Sequence, residues 1–282
     1  MLNRPAAPHL TADQKARFEE DGFLVIKGAL DAPAVAHFTR LIDELDARER
    51  AAEQTPPDEF VQIRNAIHKE HGLLELLDWP GAFPLVAELM GPAITLSTSH
   101  SMVRPPQPAD TPENYKRIGW HRDGCAEVLP IHGTYPWIYT KIGYFLSDLS
   151  KPNGGNLRVI PGSHLKTTCP PTLAGAIDPV GAVTVLTEPG DAVIFQQRLW
   201  HAVGPNTSPL TRKNIYMGYC WRWVKPLDFL VPDPALLAQA TPIQRQLLGE
   251  YSSEMAFWLP KPNEVPLREW LKAHQEAALQ PA

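Results

Sequence analysis

Two side chains near the middle of the chain have the types and the spacing of metal ligands. His121 and Asp123 lie two residues apart within residues 118–123. Because alternate side chains of an extended strand point to the same side, the imidazole and the carboxylate can meet on one face. Two histidines and one carboxylate form the facial site that holds non-haem iron(II) with open coordination positions. The pair therefore predicts two of three iron ligands, provided that the chain supplies another histidine.

A second pair of the same format, His68 and Glu70, competes for this interpretation. It stands beside residues 73–77, which have helical character. Side chains two apart in a helix diverge rather than face each other, so we interpret this pair as a solvated helix end. A histidine beside an acid is most often an ordinary surface pair. Whether such a pair is a metal site instead depends on the other ligand residues that the chain supplies.

The partners of the first pair come much later in the chain. His201 follows a predicted strand, and Arg212 begins the next strand after a turn at residues 204–208. An antiparallel hairpin of that length would put Arg212 beside His201. A guanidinium can bind a carboxylate through two N–H groups, a geometry that lysine does not offer. The set predicts a dicarboxylic keto acid as cosubstrate, with its keto acid end on iron and its far carboxylate on Arg212.

The elements that must position these residues occur in a simple order. Helical segments are predicted over residues 11–90, strands over residues 93–223, and helices again over residues 233–278, where residues 235–248 form one helix. Residues 48–58 are expected to be a surface loop. The 30 prolines favour loops and strand ends over a long helical bundle. The order predicts a single domain over 1–282, mainly β with flanking helices, whose strands form an antiparallel sandwich or barrel.

Composition excludes several classes of function. The 282 residues carry a net charge of -5 without a basic run, so no nucleic-acid partner is expected. No apolar stretch is long enough to span a bilayer, and residues 1–10 do not have the apolar centre of a signal peptide. Three scattered cysteines form no disulfide framework. We expect a cytoplasmic protein that acts on a small molecule without a membrane partner.

Jointly, these motifs resemble the phytanoyl-CoA dioxygenase family. The resemblance rests on residues 11–26, the His121/Asp123 pair, the glycine turns at residues 153–155 and 161–164, and His201 with Arg212. It implies an iron(II)- and 2-oxoglutarate-dependent oxygenase that consumes O2, with a double-stranded β-helix core of the jelly-roll, cupin-like type. Carried over by position, His121, Asp123 and His201 would bind iron, and Arg212 would anchor the distal carboxylate of 2-oxoglutarate.

The resemblance also suggests lesser contacts to the cosubstrate, and it has one departure. Tyr144 stands on the long strand where a family aromatic approaches 2-oxoglutarate, and Thr140 and Asn156 are polar positions near the same pocket. Taken by itself, Tyr144 is equally well a core aromatic on a half-buried strand. Several members have a serine two residues after the distal histidine, where Val203 stands here. Another hydroxyl must therefore take its place, or Arg212 acts with less help.

The expected reaction is hydroxylation of a small, partly apolar metabolite, with release of succinate and CO2. Its pocket mouth is predicted in residues 104–116, 125–135 and 227–258. Asp123 disfavours halogenation, since related halogenating enzymes have a small residue in place of that carboxylate. Desaturation, ring rearrangement and endoperoxide formation stay open. Two alternatives to an oxygenase also stay open. One is a non-catalytic module that binds metal and 2-oxoglutarate, against which the complete residue set argues. The other is a cupin-like isomerase or hydrolase, which would not require Arg212.

Overall fold

Two facing β-sheets, with helices packed on the outer face of the larger sheet, form the protein. A computed structural model describes residues 2–108, 110–111, 118–123, 136–253 and 255–279. Its helices are α1 Ala12–Asp21, α2 Ala32–Glu53, α3 Ala66–Lys69, α4 Leu74–Leu77, α5 Phe83–Met90, α6 Pro234–Gln239, α7 Pro242–Leu247 and α8 Pro266–Ala278. Its strands are β1 Phe23–Ile26, β2 Val61–Arg64, β3 Ile94–Arg104, β4 Ile118–His121, β5 Tyr139–Phe145, β6 Leu157–Val159, β7 Val183–Thr184, β8 Ala192–Gln196, β9 His201–Val203 and β10 Arg212–Trp221.

The strands pair in antiparallel fashion throughout the described sheets. The larger sheet has the order β1-β8-β5-β10-β3-β2, and the smaller has the order β4-β9-β6-β7. This architecture confirms the predicted fold class, a jelly-roll core with flanking helices. Strands β3 to β10 fall within the predicted β region. The sheet is completed by β1 and by β2, an edge strand that the sequence analysis did not identify.

Helix boundaries follow local capping chemistry. Thr11 caps α1 through a capping box with Gln14, and Gly22 ends the helix with φ +85°. The predicted loop over residues 48–58 is wrong in its first part, because α2 continues to Glu53. An ion pair between Arg50 and Asp46, 2.7 Å apart and one turn away, supports this extension.

The C-terminal segment also differs from the expectation. Residues 235–248 form two short helices, α6 and α7, rather than one. Thr241 caps α7, and Pro242, which has no N–H to donate, occupies its first turn. No helix within the described ranges has both the length and the apolar character needed to cross a membrane.

Strand β5 shows how the larger sheet divides two cores. Ile142 and Tyr144 belong to the core beneath the helices, which also contains Phe38 and Leu45. Phe145 belongs to a smaller core between the two sheets. Since side chains alternate along a strand, Lys141 and Gly143 face the same side as Phe145. The space between the sheets is therefore where β5 presents a charged residue.

Two glycines on the inner face of the larger sheet make room for aromatic rings. A Cβ at Gly143 would lie 2.5 Å from Cε1 of Tyr216, and a Cβ at Gly218 would lie 2.0 Å from the hydroxyl oxygen of Tyr139. Both distances are far shorter than a van der Waals contact. The rings therefore lie directly against the glycines, which leaves more room between the two sheets.

Replacing Gly143 with alanine is expected to destabilise the fold by about 1–3 kcal/mol, because the new methyl group displaces the Tyr216 ring in a close-packed core. The measurement is chemical denaturation of the variant and of wild type. Gly204→Ala is the matched control, since a Cβ there would meet its nearest neighbour at an ordinary 3.5 Å. Equal stability of wild type and Gly143→Ala would contradict the proposed role of this glycine.

Candidate active site

The structure brings His121, Asp123 and His201 together between the two sheets. His121 in β4 is the direct cross-strand partner of His201 in β9, and their rings lie 4.3 Å apart between centroids. Asp123 follows β4, where its N–H donates to the carbonyl of Gln197. One nitrogen or oxygen from each of the three side chains lies within 4.8 Å of the others. The three residues could therefore share one metal ion.

Backbone carbonyl groups determine which ring nitrogen carries the proton in both histidines. Nδ1 of His121 lies 2.8 Å from the carbonyl oxygen of Gly119, and Nδ1 of His201 lies 2.9 Å from that of Leu199. A carbonyl oxygen can only accept a hydrogen bond, so each neutral ring carries its proton on Nδ1 and has a lone pair on Nε2. These Nε2 atoms face Asp123, at 4.0 Å for His121 and 3.7 Å for His201.

A buried lysine pairs with the carboxylate of the cluster. Nζ of Lys141 lies 2.5 Å from Oδ2 of Asp123. Burial alone would raise the pKa of Asp123, but the charge of Lys141 outweighs that effect and holds the pKa well below its usual range. Asp123 is therefore ionised at neutral pH, as a metal ligand must be. With Oδ2 held by Lys141, Oδ1 is the oxygen left to face a metal.

His201 is also in the protonation state that metal binding requires. Burial lowers its pKa to about 3, against the opposing attraction of Asp123. The ring is therefore neutral at any pH near 7, and its Nε2 lone pair is available.

A pair of buried arginines lies at one end of the same inter-sheet space. Arg212 in β10 is the cross-strand partner of Arg104 in β3, and their side chains are almost fully buried. Burial and the neighbouring charge of Arg212 lower the pKa of Arg104 to about 10. Among the described residues, no carboxylate lies within ion-pair distance of Arg212, and its Nε has no hydrogen-bond partner. A buried cation that no described carboxylate balances favours an anionic ligand, and one carboxylate of a dicarboxylic acid fits that requirement.

A tyrosine hydroxyl lies against the guanidinium of Arg212. Nη2 of Arg212 donates to the hydroxyl of Tyr216, which is 3.3 Å away and four residues further along β10. Val203 itself lines the cavity with an aliphatic side chain. Tyr216 therefore orients the guanidinium from within the same strand.

The predicted hairpin between His201 and Arg212 is wrong. β9 belongs to the smaller sheet and β10 to the larger one, so the turn between them crosses from one sheet to the other. The buried side chain of Asn206 supports this crossing, because its amide donates to the carbonyls of Arg104 and Leu210. The two residues face each other across the inter-sheet space and are not neighbours in one sheet.

The structure does not bring Tyr144 or Thr140 to this space, which corrects the expectation that they contact the cosubstrate. Both alternate with Lys141 on β5 and therefore lie on its outer face. Tyr144 is buried in the core beneath the helices, and Thr140 accepts a hydrogen bond from Nε1 of Trp137 at 2.8 Å. Lys141 and Tyr144 are three residues apart, so their side chains point to opposite sides of a regular strand.

Asn156 acts on the site only through the main chain. Its Oδ1 accepts from the N–H of Gly154, and its Nδ2 donates to the carbonyl of Leu149. These bonds shape a turn in which Gly155 has φ +79°, and a Cβ there would lie 3.0 Å from Cδ of Arg212. Asn156 therefore positions the backbone against which Arg212 packs, and its amide groups are already used.

A cavity of about 100 Å³ borders the His121/Asp123/His201 cluster and extends to residues of the edge strand β2. Arg212 does not line it directly but contacts Tyr216, which does. It is bounded by residues of both sheets: Gln62, Arg64, His100, Met102, His121, Asp123, Lys141, Leu157, Phe195, His201, Val203 and Tyr216. Arg64 is the partner of His100 across β2 and β3, and its side chain is 60% exposed. The residues nearest the outside are thus polar, which indicates where a substrate enters.

Several of these residues escaped the sequence analysis, and their signals differ in strength. Lys141 was visible as a charge inside a run of apolar and aromatic residues, since a lysine is almost never buried without a reason. His100 and Arg64 had no such signal. Of the predicted pocket mouth, residues 109, 112–116, 125–135 and 254 lie outside the described residues. The competing pair lies at a helix end as predicted, with His68 in α3 and Glu70 directly after it. It is not solvated as expected, because both ring nitrogens of His68 are buried.

The sequence is similar to one protein family and to several individual dioxygenases. A sequence profile of the phytanoyl-CoA dioxygenase family (PhyH) matches residues 18–214. The ectoine dioxygenase of Sphingopyxis alaskensis is 23% identical over 262 residues, which cover 82% of this chain and 83% of that protein. The dioxygenase cdmD of Talaromyces verruculosus is 31% identical over 107 residues, but the match covers only 37% of this chain and 33% of cdmD.

Solved structures share the fold. The structure of EctD from S. alaskensis with 2-oxoglutarate and 5-hydroxyectoine has a TM-score of 0.58 and 24% identity, over 81% of this chain and 83% of that one. HygX from Streptomyces hygroscopicus, with nickel and 2-oxoglutarate bound, has a TM-score of 0.59 and 18% identity, over 76% and 88%. The profile covers most of the chain, and the chain therefore belongs to the phytanoyl-CoA dioxygenase family.

Proposed function

We propose that this chain is an iron(II)- and 2-oxoglutarate-dependent oxygenase that hydroxylates a small, partly apolar metabolite and releases succinate and CO2. The observation that carries the proposal is the pair of histidines whose Nδ1 protons are fixed by backbone carbonyls, so that both Nε2 atoms face one carboxylate. The 2-oxoglutarate in the EctD and HygX structures supports the choice of cosubstrate.

The residues present fit the metal and the keto acid. His121, Asp123 and His201 would hold iron(II), for which two imidazoles and one carboxylate are suitable ligands. The bound metal, with 2-oxoglutarate and O2, supplies the oxidising power to break a C–H bond. Arg212 and Arg104 would bind the distal carboxylate, and their burial strengthens that contact by excluding water.

The surrounding side chains keep the carboxylate in place and the site dry. Lys141 holds one oxygen of Asp123. Its ammonium group lies 5.3–5.8 Å from the ring centroids of Tyr139, Phe195 and Tyr216, which shield it from solvent. Because the ion pair with the enclosed Lys141 keeps the Asp123 carboxylate from turning toward solvent, this ligand is held in position before a metal binds.

The substrate is expected to enter beside β2. Gln62 and Arg64 project from this edge strand toward the cavity, and His100 lies next to Arg64. These groups can bind oxygen atoms on a metabolite, while Phe195 and Leu157 offer apolar contacts deeper inside. A cytoplasmic location stays a prediction, consistent with the free thiols of Cys169 and Cys220.

The test is succinate formation from 2-oxoglutarate by the iron-loaded chain under 18O2, with an anaerobic reaction as the control. Even without the natural substrate, slow O2-dependent succinate release is expected, and candidate metabolites that are true substrates should accelerate it. One 18O atom in the product identifies hydroxylation, whereas an unlabelled product identifies desaturation or ring rearrangement. If iron and 2-oxoglutarate bind but no succinate forms with any candidate, the chain is a binding module and the proposal is wrong.

A further inference from the structure

Three titratable side chains meet in the helical layer, and none of them lines the cavity described above. His9 lies in the segment before α1, Glu88 lies in α5, and His274 lies in α8. Nδ1 of His9 is 3.4 Å from Oε1 of Glu88, and Nε2 of His274 is 3.1 Å from the same oxygen. Segments from both ends of the chain are thus joined around one carboxylate.

The spacing matches a tetrahedral metal site. Zinc binds imidazole nitrogen and carboxylate oxygen at roughly 2.0–2.1 Å, so neighbouring ligand atoms on a tetrahedron lie about 3.3 Å apart. The observed 3.1 and 3.4 Å bracket that value. One ligand atom from each of these three residues lies within 4.8 Å of the other two.

The ligand atoms are buried and incompletely satisfied. Nδ1 of His9 and Oε1 of Glu88 are enclosed and have no hydrogen-bond partner among the described residues. The other oxygen of Glu88 accepts the N–H of Leu10 at 3.2 Å, which aims Oε1 toward the two rings. Enclosed polar atoms without partners are costly, and a cation would satisfy both of them at once.

Ring stacking and a hydrogen bond position His274, while the side chain of His9 stays partly exposed. The ring of His274 is stacked between Trp270, 4.9 Å away, and His9, 3.8 Å away. Nε2 of His274 also lies 3.2 Å from the carbonyl oxygen of Pro8. Metal binding requires the His274 proton to move from Nε2 to Nδ1, away from the Pro8 carbonyl. It also requires the His9 ring to tilt within the stack, so that its Nδ1 stays beside Glu88 and its lone pair points at the metal. The side chain of His9 is 36% exposed and has room for this rotation.

We propose that His9, Glu88 and His274 bind a divalent transition-metal ion, with Zn(II) the best match, in a second site that is independent of the candidate active site. Two imidazoles and a carboxylate are suitable zinc ligands, and water completes the tetrahedron. Bound metal fastens the N-terminal segment and α8 to α5, so it stabilises the folded state rather than taking part in the oxygenase reaction.

The test is Zn(II) binding by the full chain after chelator treatment, measured by equilibrium dialysis. The active-site cluster also binds Zn(II), so wild type is expected to retain two ions per chain, and Asp123→Ala and Glu88→Gln one each. The double variant Asp123→Ala/Glu88→Gln is expected to retain none. If Asp123→Ala instead binds as many ions as wild type while Glu88→Gln loses one, the active-site assignment fails and the second site stands.

Co(II) gives an independent readout, because tetrahedral Co(II) absorbs visible light far more strongly than six-coordinate Co(II). The intense bands are expected in Asp123→Ala and absent from the double variant. His37→Gln is the matched control and should keep both ions. His37 is a half-buried helical histidine that pairs with no carboxylate in the described part of the chain. His274→Gln replaces Glu88→Gln if that variant does not fold. The proposal is overturned if a folded Glu88→Gln or His274→Gln binds Zn(II) with the stoichiometry and affinity of wild type.

Discussion

Replacement of Asp123 by alanine is expected to abolish 2-oxoglutarate turnover and to weaken iron(II) binding at the candidate active site by at least about 100-fold. Residues that merely orient metal ligands cost about 10–100-fold when mutated, and Asp123 supplies a ligand itself. Its loss also leaves the buried ammonium of Lys141 facing the metal position without a counter-charge. The measurements are iron content after reconstitution and the rate of succinate formation.

Two further variants separate loss of the ligand from loss of the fold. Asp123→Ala breaks a buried ion pair, which by itself destabilises proteins. The double variant Asp123→Ala/Lys141→Met removes both members of that pair, so it should regain stability without regaining iron. Asp148→Ala is the control, since Asp148 is an exposed aspartate outside the site. Tight iron binding by Asp123→Ala equal to that of wild type would refute the assignment of this ligand.

Replacement of Arg212 by lysine is expected to raise the KM for 2-oxoglutarate by about 30-fold or more while iron(II) binding is retained. Truncating a buried, hydrogen-bonded charge pair costs about 2–5 kcal/mol, and each 1.4 kcal/mol is a factor of ten in affinity. Lysine keeps the charge but loses the planar fork that binds a carboxylate at two points. The measurement is the dependence of succinate formation on 2-oxoglutarate concentration.

The matched control for this variant lies just beyond the far end of the same strand. Arg222 is also buried, and its guanidinium donates to the carbonyl of Glu264 rather than facing the cavity. Arg222→Lys should therefore leave the KM for 2-oxoglutarate unchanged. An unaltered KM in Arg212→Lys would show that another group anchors the keto acid, with Arg104 the first candidate.

Local sequence pattern was enough to predict that His121, Asp123 and His201 come together, but not how the strands around them are arranged. The His121/Asp123 pair needed only the period of a strand, and His201 and Arg212 needed only their types and their order. The pairing of Arg212 with Arg104 was beyond reach, because the register of distant strands depends on contacts across the whole sheet. For the same reason, the crossing from one sheet to the other between His201 and Arg212 was mistaken for a hairpin.

The error over Tyr144 has a different physical origin. Strand β5 is buried on both faces, so its sequence lacks the alternation of apolar and polar residues that tells one face from the other. Lys141 was the one residue whose charge could have fixed the orientation. Had it been assigned to the inner face, Thr140 and Tyr144 would have been placed on the outer face by simple alternation.

Under the proposed function, the position of β2 has a consequence for how substrate specificity can change. The groups that line the entrance, Gln62 and Arg64, belong to a short edge strand that precedes the strands carrying the metal cluster. An edge strand has a neighbour on one side only, so its inward residues can vary with little disturbance to the rest of the sheet. Substitutions in this one segment can therefore change which metabolite binds, while the residues of the metal cluster stay the same. A library of variants confined to residues 61–64 is a natural starting point for engineering.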